Sequence, residues 1–115
     1  MKHRNFRQQM ERMLELHGGF YTFEDILDLI KQGRMQSFVK GDTWVITQVN
    51  EFPRKKVLEI VFVIGDLDTL HELEPELEAY RASISADMMM ATGRLGWINK
   101  HFDGWKPISV NFIKV

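Results

Sequence analysis

An α/β domain, with a mixed and mostly antiparallel sheet flanked by helices, is the fold this chain predicts, on three observations. Two strand-like runs, TWVITQVN over 43–50 and VLEIVFVI over 57–64, meet at a turn that contains Pro53. The second run is apolar at nearly every position and stops at Gly65-Asp66, which is the pattern of a central strand feeding a helix. On either side of this pair, apolar residues step by three or four, the period of helices that cover a sheet.

A length of 115 residues with 44% hydrophobic and 27% charged side chains is the size and content of one domain, 1–115, with its own core. A formal charge of -1 and a pI near 6.4 give no electrostatic reason to expect nucleic acid or an anionic membrane as partner. Cysteine is absent, which removes disulfides, thiolate metal sites and a cysteine nucleophile. No apolar run approaches the ~20 residues that span a bilayer, and the start, MKHRNFRQQM, lacks the apolar core of a signal peptide. The chain is therefore expected to be soluble where it is made.

Taken in order, Phe6, Met10, Met13 and Leu14 recur at helical spacing and Gly18-Gly19 ends the run, which predicts a first helix from Phe6 to Leu16. Thr22 stands before FEDILDLIKQG with Asp25 three residues on, a variant of the capping box. Phe23, Ile26, Leu27 and Ile30 then line one side of a second helix that Gly33 stops. The period changes to two as Met35, Ser37 and Val39 alternate with Gln36, Phe38 and Lys40, and Gly41-Asp42 turns tightly into the TWVITQVN strand. The turn from Asn50 to Lys55 is longer, but Asn and Pro suit a reversal, so a three-stranded antiparallel meander is expected.

Beyond Gly65-Asp66, Leu67, Leu70, Leu73, Leu77, Tyr80 and Ile84 step by three or four, which favours helix up to about Ser85. A proline inside a helix costs about 3 kcal/mol, so the expectation is a short turn first and the main helix starting near Pro75. Glu72, Glu74, Glu76 and Glu78 fall largely on its solvent side and first turn. The DMMMA run over 87–91 reads as a short buried strand and GRLGWINKHF over 93–102 as a short helix closed by Asp103-Gly104. WKPISVNFIKV reads as a last strand alternating through Ile108, Val110 and Phe112 or Ile113. The predicted order is ααβββαβαβ.

On that order the chain resembles the GNAT acetyltransferase fold, in which the central strand splays from the next and acetyl-CoA sits at the opening. Within that fold it is most similar to the short GNAT-like proteins of tailed bacteriophages. The residues that carry the closer likeness are TQVNEFPRKKVLEI, the GRLGW stretch from Gly93 to Trp97, and the ending HFDGW followed by a lone strand. The resemblance implies that a cofactor would be received at IGDLDTL, by backbone N–H groups around Gly65, Asp66 and Leu67. Catalytic members carry an Arg/Gln-x-x-Gly-x-Gly/Ala loop there. This chain keeps one glycine, and the charges of Asp66 and Asp68 oppose a phosphate.

The family also places an Asn-led helix bearing a tyrosine that protonates the departing thiolate, four residues before a Gly-aromatic pair. With Gly104-Trp105 as that pair, the tyrosine position falls on Lys100 and the Asn position on Gly93. Glu59 is the carboxylate the resemblance places best for a general base. Its alternative reading is a residue that faces solvent or pairs with Lys56 or a neighbouring strand.

His3, His17, His71 and His101 show no i,i+4 pairing and no carboxylate at ligand spacing, so no metal site is expected. Ser83, Ser85 and Ser109 lack the Gly-x-Ser-x-Gly elbow of a hydrolase. Arg54, Lys55 and Lys56 form a basic turn that reads as solubilising charge; its alternative, together with Lys2, Arg4 and Arg7, is contact with an acidic partner or nucleic acid. Trp97 is expected to cover the sheet, whereas an exposed Trp105 or Trp44 would mark a protein interface. Arg94 either pairs with Asp87 or Asp103 or anchors a partner.

The resemblance and its departures together imply a catalytically degenerate GNAT-like phage protein without a cofactor. Such a protein would be made in the host cytoplasm and act as a protein-interaction or virion-associated module, with other virion components among its partners. The alternative is an acetyl-CoA-dependent N-acetyltransferase acting on an amine, with Glu59 as base and Lys100 as proton donor. A small adaptor in a larger assembly is the third reading.

Overall fold

The computed structural model describes residues 2–16, 18–93 and 104–114. Seven elements follow in order: α1 (Lys2–Leu16), α2 (Phe23–Lys31), β1 (Gln36–Lys40), β2 (Thr43–Glu51), β3 (Lys56–Ile64), α3 (Leu67–Ser83) and β4 (Met88–Ala91). In space the sheet runs β1-β2-β3-β4. The first two pairings are antiparallel and β3 with β4 is parallel, so the class is α/β with a mixed, mostly antiparallel sheet.

Local chemistry accounts for the first elements. Thr22 Oγ1 accepts from the Asp25 N–H at 3.1 Å and the Asp25 carboxylate accepts from the Thr22 N–H at 2.9 Å, the reciprocal capping box at the start of α2. Gly33, at φ 76°, takes the left-handed conformation just past the helix end. Arg7 pairs with Glu11 within α1 and ties α1 to α2 through an ion pair to Glu24 and a position 4.7 Å over the Phe23 ring. The hydrogen bond from Arg7 holds the Glu24 carboxyl below its ordinary range.

The sheet is covered on both faces. Alternation on β2 sends Trp44 and Ile46 to one face, where Phe6, Met10, Leu14 and Ile26 of the first two helices bury them with Phe62 and Ile64. Val45 goes to the other face and meets Ile60 and the Leu70, Leu73, Leu77 row of α3. Trp44 is thus core: its ring lies 5.7 Å from Phe6 and 6.0 Å from Phe23, and its indole N–H donates to Ser37 Oγ.

The structure corrects two expectations. First, α3 is one helix from Leu67 to Ser83 with Pro75 inside it, not a turn followed by a helix. Leu70 and Leu73 before the proline and Leu77 after it are all buried against the sheet, so packing holds both halves in line. Pro75 itself is exposed, so the position without an N–H lies on the solvated side of the helix. Second, no strand forms over 104–114. Its apolar alternation is that of a strand, but the segment lies alongside no strand of the sheet. The predicted helix over 93–102 falls almost wholly on 94–103, outside the described residues, and with it Arg94, Trp97 and Lys100.

Candidate functional site

β3 organises the site because its two halves have different neighbours. Val57 to Ile60 pair with β2 on one side and with Met88 to Ala91 on the other. Ile46 then pairs with Phe62 while Thr47 pairs with Ile60, so Val61 has no partner on β2 and forms a bulge. At the same level β4 ends, and the Thr92 N–H donates to the Ile60 carbonyl at 3.1 Å. From Val61 onward β3 has no described strand on its β4 side.

A cleft of about 220 Å³ opens beside this half of β3. One wall is the backbone and side chains of β3 from Val61 to Gly65, and the other is Gln9, Arg12, Met13 and Leu16 of α1. Thr92 closes one end, and Arg12 is the one charged lining residue among those described. An apolar slot beside a bare strand edge suits a slender, mostly apolar ligand that can hydrogen-bond to backbone.

Glu59 lies next to the cleft, linked to it through Thr92. Thr92 Oγ1 donates to Glu59 Oε2 at 2.8 Å, while Asn50 Nδ2 and, at 3.3 Å, Gln48 Nε2 donate to Oε1. Gln48 is directly opposite Glu59 in the β2–β3 register and Asn50 lies two residues along, so the three side chains share one face. The carboxylate is partly buried and its neighbours are strand and loop donors rather than Lys56, which donates through Nζ to the Ile84 carbonyl instead. Sequence reading singled out Glu59 but not Gln48, Asn50 or Thr92. The cross-strand signal was the change on β2 from a buried run over 43–47 to a less buried, more polar stretch that includes Gln48 and Asn50.

The exit of β3 is closed on itself. A Cβ added to Gly65, whose φ is 108°, would stand 2.3 Å from the Asp42 carbonyl oxygen and 2.9 Å from Thr43 Cα. The glycine is therefore required where β3 passes the β1–β2 turn. Thr43, fully buried, accepts from the Asp66 N–H at 3.0 Å and donates to the Asp66 carbonyl at 3.2 Å. The Asp66 side chain caps α3 by accepting from the Asp68 N–H at 3.0 Å. Gly65, Asp66 and Leu67 thus form a strand-to-helix joint in which the N–H groups of Asp66 and Asp68 are engaged within the chain.

Trp105 packs against the α3-side core, as Met89 and Ala91 do, and is partly buried. Among the described residues no group of three His, Asp or Glu side chains is placed to hold a metal ion, and no helix is long and apolar enough to cross a membrane. Fold and cleft together define a mixed α/β domain whose parallel strand pairing ends at Ile60 and Ala91, with the cleft beyond it. No family model matches the chain, and neither a curated protein nor a solved structure matches it.

Proposed function

We propose that this chain is a catalytically degenerate GNAT-like domain that acts as a protein-interaction module, of the kind its likeness to short phage proteins implies, with virion components among its partners. The observation that carries the reading is the joint after β3. An acetyl-CoA enzyme of that fold offers unengaged backbone N–H groups there to a pyrophosphate. Here the Asp66 N–H is bonded to Thr43, the Asp68 N–H is bonded to the Asp66 carboxylate, and that carboxylate would repel a phosphate brought to the helix start. Isothermal titration with acetyl-CoA tests the reading: no heat of binding at micromolar ligand is expected, and micromolar affinity would sink it.

The end of the β3–β4 pairing at Ile60 and the cleft beside Val61 favour a second reading, an acetyl-CoA-dependent N-acetyltransferase acting on an amine. Glu59 would accept the amine proton, and releasing it from Asn50, Gln48 or Thr92 would be part of that step. Under this reading Glu59→Gln slows amine acetylation in a steady-state assay at least tenfold, about 1.4 kcal/mol of barrier. An unchanged rate removes Glu59 from the mechanism.

A further inference from the structure

We propose that the chain forms a symmetric dimer by exchanging its C-terminal segment, with Lys106–Lys114 of each copy adding as a strand to the outer edge of β4 of the other. The inference is independent of whether the cleft binds a cofactor.

The donor is a strand by pattern without a sheet to join. Ile108, Val110 and Phe112 stand two apart, so in an extended chain they share one face with Ser109 and Asn111 on the other. They are 71%, 55% and 90% exposed, an apolar row of the kind that marks a contact surface.

The acceptor is the less guarded end of the sheet. Both β1 and β4 are edge strands. β1 carries Gln36, Ser37 and Lys40, polar and charged residues of the sort that discourage edge-to-edge pairing. β4 is Met-Met-Met-Ala, uncharged throughout and partly exposed along its length, with Met88 the most open. Methionine adapts its shape to an incoming apolar surface.

The geometry favours a second copy over the chain's own β4. Trp105 packs against the same Val45, Ile60, Leu70, Leu73 and Leu77 cluster that Met89 and Ala91 of β4 pack against, so the root of the segment is anchored on the core its own β4 also covers. Three residues further on the side chains are open to solvent rather than folded back on that edge. Pro107 sets an extended direction just past the root. Donor and acceptor on one chain give a two-fold exchange that closes after two copies and covers both features at once.

Sedimentation of the full chain across the micromolar range, with hydrogen exchange over 108–113, tests the exchange. The wild type should sediment at twice 13.6 kDa, with those amides protected. Phe112→Glu should halve the mass and lose the protection, and Met88→Lys, at a position 44% exposed, should do the same. Both variants should still unfold cooperatively, because neither side chain is part of the buried core. A monomeric wild type, or a Phe112→Glu chain that stays dimeric, overturns the exchange. A dimeric Met88→Lys chain overturns β4 as the acceptor. Should either variant misfold, mass and amide protection of the wild type still decide: a dimer with unprotected 108–113 amides overturns the strand.

Discussion

The two halves of β3 differ in neighbours more than in composition. Val57–Ile60 is held between β2 and β4, and Leu58 is fully buried. From Val61 to Ile64 the same apolar sequence continues past a bulge and past the end of β4, and Val61 is left half-exposed beside a cleft. The first half therefore serves as core alone, while the second keeps Phe62 and Ile64 in the core and also forms one wall of the cleft. Which role each half takes is decided by where its neighbour ends.

Substitutions can break or sharpen that contrast. The largest effect is expected at the end of the open half. Gly65→Ala places a methyl group against the Asp42 carbonyl at a positive φ, which should cost about 3–5 kcal/mol of unfolding free energy in a urea titration. A loss below about 1 kcal/mol would mean that β3 and the β1–β2 turn are not in close contact. Next comes a matched pair: Leu58→Ala in the closed half should cost about 3 kcal/mol and Val61→Ala beside the cleft about 1 kcal/mol. Equal losses would erase the distinction between the halves.

Thr43→Val keeps the shape of a buried side chain but strips two hydrogen bonds from Asp66, so a loss of about 2 kcal/mol is expected, read as a shift in denaturation midpoint at unchanged slope. The smallest effect concerns the α1 wall of the cleft, fixed to α2 by Arg7 and Glu24. Because the folded-state pKa of Glu24 is depressed, its contribution is present above the unfolded carboxyl pKa and is lost as pH falls through the lower folded value. Glu24→Gln should therefore flatten the acid limb of a stability-versus-pH curve slightly; a curve identical to wild type would show that the pair contributes nothing in solution.

Much of this fold was legible in the chain because it rests on near neighbours. Thr22 and Asp25 are one turn apart, and Gly41-Asp42 joins strands that follow each other, so short-range spacing sufficed. Pro75 misled because its local penalty was weighed without the Leu70, Leu73 and Leu77 contacts that hold the helix to a sheet formed earlier in the chain. The alternation of Ile108, Val110 and Phe112 misled in the opposite sense: a strand needs an edge to join, and spacing does not supply one. At the site, Glu59 was singled out through the resemblance, as the carboxylate on the central strand. Its donors were hidden because Gln48, Asn50 and Thr92 reach it only through register and through the place where β4 ends. The role of Gly65 was also hidden, since the atom that excludes a side chain belongs to Asp42.

The parallel pairing of β3 with β4 also bears on how the chain reaches this fold. Parallel strands cannot be closed by a hairpin, so all of α3 must be in place before Val57 meets Met88. The β1–β2–β3 meander closes through short turns, and contacts with little chain between them form first. β4 is accordingly expected to join last and open first, and native-state hydrogen exchange should find its amides opening before those of β2. Thr92 comes directly after β4, so the Glu59 carboxylate receives its third donor only at the final step of assembly.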